Sequence, residues 1–315
     1  MTASPGLPEG FRADYIDCNG VRLHVVHNGA PFDGKTQTDG RLPLLCLHGF
    51  PDFWVSWEKL MPFISDQFFM VAPDQRGYNK SEAPSGPEHY ATKILVNDML
   101  ALAQKMFGKS KFHLVGHDFG AAIAYALAIT NPDRLESLII ANGAHPACYQ
   151  EAILDSSAQT EASSYFHRIK PVGSGEWAAA NNFQNMLDFL DHHSSSDWLT
   201  EPIRQRYRAA WQSAERLDAM FDWYRAAPIV VPKAGETITE APLYSVPATK
   251  LRVTVPHLLI WGMKDTTLLP ETRARLPEFC DDLTLKEIPE ADHWVLHTHP
   301  EQVVGYMSEF LSPFQ

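Results

Sequence analysis

The sequence predicts an α/β fold, a mostly parallel, twisted sheet flanked by helices, interrupted by one inserted helical segment. Three observations carry this. Short β-rich runs alternate with stretches of helical apolar spacing, the pattern of a sheet covered on both faces. That alternation fails between about Ala147 and Val246, a stretch rich in Trp, Tyr, Phe, His and Ser that holds helical segments such as Glu201 to Trp223 and no strong strand. The chain has 315 residues, 45% of them hydrophobic, which suffices for one large domain or a core with a smaller insertion.

The expected strands run in order. Val21 to Val26 follows the turn Cys18-Asn19-Gly20, and Leu42 to Leu47 ends in His48-Gly49. Gln67 to Val71 ends in Ala72-Pro73-Asp74, and Phe112 to Val115 ends in the turn Gly116 to Gly120. Leu135 to Ile140, His257 to Trp261 and Leu283 to Ile288 complete the set. Between them, Ala91 to Phe107 shows helical spacing and stops at Gly108. Ala121 to Thr130 stops before Asn131-Pro132, and Gln302 to Leu311 closes the chain. The expected division is a core of residues 1–146 and 247–315 with a helical cap of residues 147–246. Structureless loops of that length are uncommon in compact domains, which favours a cap over a set of loops.

Charge and composition narrow the function. The formal net charge is -12, so the chain has no electrostatic attraction for nucleic-acid phosphates or anionic membranes. No run approaches the ~18 uninterrupted apolar residues that span a bilayer. Met1 to Gly10 has neither a basic start nor a long apolar run and does not read as a signal peptide. Cys18, Cys46, Cys148 and Cys280 form no CxxC pair and read as reduced, mostly buried thiols. A soluble cytoplasmic protein is expected.

The chemistry centres on Gly116-His117-Asp118-Phe119-Gly120. A sharp strand-to-helix turn strains its central residue and needs small neighbours, which the two glycines supply. It lifts the Asp118 side chain above the C-terminal edge of the sheet, beside a helix N-terminus that favours an anion. A carboxylate there needs no base to activate it and can attack an sp³ carbon to form an ester. A lone Asp before a helix is usually a cap. The glycines and the partners downstream favour a nucleophile instead.

An ester on Asp118 has to be hydrolysed, which calls for a base, an acid to orient it and oxyanion donors. Asp265 follows the strand His257 to Trp261, and His293 follows the strand Leu283 to Ile288. Asp292 adjoins His293 in sequence and is poorly placed to orient its ring. His297 and His299 lie nearby but lack a third metal ligand at a recognisable spacing. Backbone N–H groups of Phe50 and Phe119 are the expected oxyanion donors. His48 itself reads as holding its loop.

Taken together, His48-Gly49-Phe50-Pro51, Asp74-Gln75-Arg76-Gly77-Tyr78, Gly116 to Gly120, Trp261 to Asp265 and His293-Trp294 resemble the epoxide hydrolases of the α/β-hydrolase superfamily. The resemblance runs from about residue 13 to 312. It implies the α/β-hydrolase fold, with the order nucleophile, acid, histidine. It implies two cap tyrosines that hold the epoxide oxygen. Tyr224, in Asp222-Trp223-Tyr224-Arg225, resembles the second, and Tyr165, eight residues before Gly173, the first. Tyr149 and Tyr207 read as packing residues, and the Asp74 to Tyr78 run as a structural turn. Many relatives carry Trp directly after the nucleophile, where this chain has Phe119.

Other readings use the same frame. Haloalkane dehalogenases hold the halide with side-chain N–H groups, which Phe119 and Phe50 lack. Fluoroacetate dehalogenases place Arg after the nucleophile. Attack by Asp on an ester or lactone would give an anhydride. A ligand-binding protein on an inactive scaffold would be expected to lose a catalytic group, and this chain retains all of them. The expectation is therefore conversion of an epoxide to a vicinal diol. Asp118 is the nucleophile, His293 and Asp265 activate water, and Tyr165 and Tyr224 hold the ring oxygen. Phe50, Trp57, Phe119, Phe166, Trp223 and Trp294 are expected to line an apolar pocket. The expected partner is a small apolar epoxide, with a homodimer left open. No nucleic acid, membrane, metal or organic cofactor is expected.

Overall fold

The computed structural model describes residues 6–36, 40–194, 197–238 and 240–314. Its sheet has eight strands in the order β1-β2-β4-β3-β5-β6-β7-β8. They are β1 (Arg12–Cys18), β2 (Val21–His27), β3 (Leu42–Leu47), β4 (Phe68–Pro73), β5 (Phe112–His117), β6 (Leu135–Ala141), β7 (His257–Gly262) and β8 (Leu283–Ile288). β1 and β2, and β2 and β4, pair antiparallel, while β4 through β8 are parallel. β4, β5 and β7 are buried along their whole length, as strands covered on both faces must be. β1 was not anticipated. It is a partly exposed edge strand with Tyr15 half in solvent, and it lacks the apolar run that marks β3, β4 and β7.

The helices of the first half are α1 (Met61–Ile64), α2 (Thr92–Phe107) and α3 (Phe119–Thr130). α3 begins two residues earlier than its Ala-rich pattern suggested, directly after Asp118. Between β6 and β7 come α4 (Pro146–Asp155), α5 (Ser157–Ala162), α6 (Phe166–Ile169), α7 (Ser174–His192), α8 (Glu201–Trp211) and α9 (Ala214–Ala226), with no strand among the described residues. The stretch read as one helix, Glu201 to Trp223, is two. Gln212 takes φ +61 and the Ser213 side chain caps the next turn, so α9 leaves in a new direction. α10 (Val295–Thr298) and α11 (Pro300–Leu311) finish the chain.

The inserted helices are fastened to the loop that follows β3. The Tyr207 hydroxyl donates to Asp52 at 3.0 Å and the Trp211 indole N–H to the Pro51 carbonyl at 3.0 Å. Arg206 pairs with Glu58 through both its terminal nitrogens. From α9, the Trp223 indole N–H donates to the Arg76 carbonyl at 2.9 Å. These bonds place α8 and α9 over the C-terminal edge of the sheet. Among the described residues no helix is long and apolar enough to cross a membrane.

Candidate active site

The turn that carries Asp118 is built by close approach. Asp118 sits at φ +50, a conformation that costs a non-glycine residue energy and persists only where its surroundings enforce it. A Cβ at Gly116 would lie 2.7 Å from the Gly120 carbonyl oxygen, and one at Gly120 would overlap the Leu47 carbonyl. A Cβ at Gly49 would overlap the Asp118 side chain itself. The glycines therefore let β3, β5 and α3 meet around one carboxylate.

The Phe50 N–H donates to Asp118 Oδ1 at 2.7 Å. Phe119 opens α3, so its N–H is one of the first-turn donors with no acceptor inside the helix. On the other side, His293 Nε2 stands 3.5 Å from Asp118 Oδ2. His293 Nδ1 donates to Asp265 Oδ2 at 2.8 Å. The second Asp265 oxygen accepts the N–H groups of Thr267 at 2.8 Å and Leu268 at 2.9 Å. Asp292, by contrast, accepts the Trp294 N–H. The chain thus brings Asp118, His293 and Asp265 into one line from three loops, with His293 hydrogen-bonded to Asp265 and 3.5 Å from Asp118.

The electrostatics follow from this packing. Burial alone would raise the Asp118 and Asp265 carboxyls, but His293 reverses that and holds both below the ordinary carboxylate range. Burial pulls the His293 imidazole down, yet Asp265 and Asp118 lift it to about 10. Burial pushes the Tyr165 and Tyr224 phenols well above the usual tyrosine range, and the Asp118 charge adds to this. Both stay protonated at neutral pH and remain donors. Their rings meet at 5.9 Å, and the Tyr224 ring packs edge-on against Phe50 at 5.2 Å and Phe119 at 4.5 Å.

Two cavities meet at Asp118 and Tyr165. The larger, of about 290 Å³, is mostly apolar and includes Phe119, Phe166 and Trp223 in its lining. The smaller, of about 10 Å³, is walled by Phe50, Tyr224, His293 and Trp294 among others. Trp57 was expected in the pocket and is not there. It is wholly buried in a 3-10 turn beneath the loop and lines neither cavity, because an aromatic side chain in a core-facing turn packs inward. Tyr149, read as a packing residue, lines the larger cavity with its hydroxyl 3.1 Å from that of Ser163.

Asn142, His193 and His117 carried no clear sequence signal, whereas His48 and the Asp74 turn did. Asn142, just after β6, accepts the Asp118 N–H on its carbonyl and donates its side-chain N–H to Asp265. His193 enters the small cavity with Nδ1 near the Thr266 and Thr267 hydroxyls, and burial lowers it to about 4, so it is neutral. His117 Nε2 donates to the His293 carbonyl at 2.9 Å, and burial lowers it to about 4. His48 holds its loop: its Nε2 accepts the Gln75 N–H at 3.0 Å. The Asp74 carboxylate accepts the Trp54 N–H and meets His24 Nδ1 at 2.6 Å, fixing the turn that follows β4.

A carboxylate on a strained turn after a central parallel strand, with a histidine and an acid from two later strands, is the site plan of one large family. Residues 43–300 match the family described as alpha/beta hydrolase fold. This chain belongs to it. It is 33% identical over 305 residues to the AB hydrolase superfamily protein YfhM of Bacillus subtilis (strain 168), covering 96% of this chain and 99% of that one. It is 27% identical to Epoxide hydrolase 2 of Caenorhabditis elegans, covering 98% of this chain and 82% of that protein. Among solved structures it resembles an epoxide hydrolase of Bacillus megaterium bound to an inhibitor, with TM-score 0.82, 30% identity, and 95% and 100% of the two chains covered. It also resembles a member of a set of epoxide hydrolases from metagenomes of hot environments, with TM-score 0.80, 32% identity, and 96% and 98% covered. The α/β-hydrolase frame here therefore carries an aspartate at the position where a hydroxyl nucleophile often stands.

Proposed function

We propose that this α/β-hydrolase converts an epoxide to a vicinal diol through an ester on Asp118, with residues 147–246 acting as a cap over a core of 1–146 and 247–315. One observation carries the reading: the ionised Asp118 shares a small cavity with the protonated Tyr165 and Tyr224, and that cavity meets a larger apolar one at Asp118 and Tyr165. Relatives named as epoxide hydrolases support it.

Asp118 Oδ2 attacks one ring carbon from behind, and the C–O bond to the ring oxygen breaks. Tyr165 and Tyr224 donate to that oxygen as it becomes an alkoxide. The proton it gains is balanced by one lost from His293. That loss follows from the charges, because esterifying Asp118 removes one of the two anions that hold His293 protonated. Neutral His293, oriented by Asp265, then takes a proton from water, and the oxygen attacks the ester carbonyl. The Phe50 N–H, with that of Phe119, holds the tetrahedral oxyanion. Collapse breaks the ester C–O bond. The departing diol oxygen takes the carboxyl proton, which restores ionised Asp118 and protonated His293. No step needs a metal or organic cofactor.

Single turnover in ¹⁸O-water tests this. The label is expected in the Asp118 carboxylate; label confined to the diol would overturn the covalent route. His293→Gln should accumulate enzyme heavier by the mass of the epoxide. Phe50 and Phe119 offer no side-chain donor for a halide, so halide release from haloalkanes or fluoroacetate at a rate matching diol formation would overturn the choice of substrate class.

A further inference from the structure

We infer that the site takes epoxides bearing a single elongated apolar substituent, and that Phe189 excludes a second one. This rests on the epoxide reading above and concerns the shape of what is opened.

The space around Asp118 is sharply one-sided. The 290 Å³ cavity runs along one face of α3, past Phe119, Ala122, Ile123, Ala126, Ile129 and Thr130. Their spacing is that of one helix face. From Phe119 to Thr130 the helix rises about 16 Å, at about 1.5 Å per residue. The alanines at 122 and 126 leave the groove, and its far side is apolar, formed by Ile229, Leu243 and Leu251 among others.

The other side of Asp118 has almost no room. Its cavity is about 10 Å³, close to the least volume that admits one water. It is walled by Tyr224, His293, His193 and Phe189. The Phe189 ring closes it, packed 5.9 Å from Phe50, 5.4 Å from Tyr165 and 4.7 Å from His193. This is also where water must stand for His293 to activate it, beside both Asp118 and the imidazole. A second substituent would have to displace Phe189 and would take the place of that water. It would therefore hinder both steps, alkylation by crowding and hydrolysis by exclusion.

The polar groups agree with this division. Tyr165 borders both cavities, so a ring oxygen held by it lies at their junction, with one ring carbon towards α3. Of the two cavities, Tyr224 borders the small one. An oxirane held by these hydroxyls has one open direction for a long chain.

Two isomers separate position from hydrophobicity: 1,2-epoxydecane and trans-5,6-epoxydecane, with 1,2-epoxypropane as a small reference. The expected kcat/KM for the terminal isomer exceeds that for the internal one by at least about a hundredfold, the scale of steric discrimination in an apolar pocket. Phe189→Ala should narrow that ratio to below about tenfold by raising the internal isomer. Ala126→Leu should lower the ratio of 1,2-epoxydecane to 1,2-epoxypropane about tenfold, whatever becomes of the first variant. Diol formed from both decane isomers at rates within about threefold would overturn the proposal and leave the epoxide reading standing. A Phe189→Ala protein that folds, by its thermal melt, with an unchanged isomer ratio would remove Phe189 from it. No diol from any of the three would overturn the epoxide reading, and this inference with it.

Discussion

Asn142 donates its side-chain N–H to Asp265 Oδ2 at 2.8 Å, the same oxygen that takes the His293 Nδ1–H at 2.8 Å. Its carbonyl accepts the Asp118 N–H at 3.2 Å and its side-chain oxygen accepts the Gly262 N–H at 2.8 Å. One residue after β6 thus links the Asp118 turn to Asp265. It does so at φ +38, which asparagine tolerates and most side chains do not.

That geometry separates two effects by mutation. Asn142→Gly removes the amide and keeps the backbone relaxed. It should lower kcat about tenfold and stability by about 2 kcal/mol, since buried partners lose their hydrogen bonds. Asn142→Ala removes the same amide and adds strain, so it should be less stable still. Urea unfolding and single-turnover ester hydrolysis would read the two effects. Equal stability of the Gly and Ala variants would show that the backbone conformation costs little here.

Gly49 offers a second test of close approach. A Cβ there overlaps the Asp118 side chain, and Gly49 immediately precedes the Phe50 N–H that binds Asp118 Oδ1. Gly49→Ala should displace that donor and cut kcat by about a hundredfold or more, the usual cost of losing one oxyanion donor. Stability should fall by about 1–3 kcal/mol, as for other overpacked sites. A fully active Gly49→Ala protein would mean that the loop after β3 is free to move.

These two sites differ in how legible they were. Gly116-x-Asp118-x-Gly120 declared itself, because turn, strand and helix all fall within a dozen residues. Asp265 was found because it follows the apolar run of β7, and β3 has its expected bounds for the same reason; β8, which His293 follows, mixes Thr, Lys and Glu with its apolar residues and still has the bounds expected. Asn142 also follows a strand, but its importance depends on β5, β6 and β7 being neighbours, which no local pattern states. Trp57 misled for a related reason. Composition marks it as aromatic, but only packing decides whether an aromatic faces core or cavity. The break at Gln212 was hidden because neither Gly nor Pro marks it.

The charge on His293 gives a pH signature. Burial lowers its affinity for a proton, but Asp265 and Asp118 outweigh that and hold it at about 10, above its unfolded value of 6.5. A group raised on folding contributes stability that is complete below the unfolded value and is lost as pH rises through the folded one. The melting temperature of the wild type should therefore fall from about pH 6.5 to 10 more steeply than that of His293→Gln. In single turnover, alkylation should slow as pH rises through about 10, when the His293 proton is gone. Ester hydrolysis should instead accelerate with pH across a lower range, because the ester no longer holds that proton. Parallel pH dependence of the two steps would show that His293 does not change charge between them.

Asp52 carries the last prediction, and it concerns the joint beneath the inserted helices. Its carboxylate meets His297 Nε2 at 2.7 Å, and accepts the Ser56 hydroxyl at 2.5 Å, the Phe53 N–H at 2.9 Å and the Tyr207 hydroxyl at 3.0 Å. His297 in turn stacks on Trp198, with ring centroids 4.3 Å apart. Tyr207 and Trp198 belong to the inserted segment, so one buried carboxylate ties it to both the β3 loop and the chain's C-terminal part. Burial would raise the Asp52 carboxyl, but His297 and these donors bring it down to about 2. A group depressed on folding contributes stability that is present above its unfolded value near 3.8 and is lost as pH falls through about 2. Asp52→Asn should therefore flatten the loss of stability between pH 4 and 2, about the window these values define. Asp52→Ala leaves His297 and Tyr207 buried without their acceptor and should cost about 3–5 kcal/mol. The affected bonds bind α8 to the loop, so proteolysis of Asp52→Ala should begin between α7 and α9. Cleavage starting elsewhere, with stability unchanged, would show that Arg206 with Glu58 and Trp211 with Pro51 hold the joint without it.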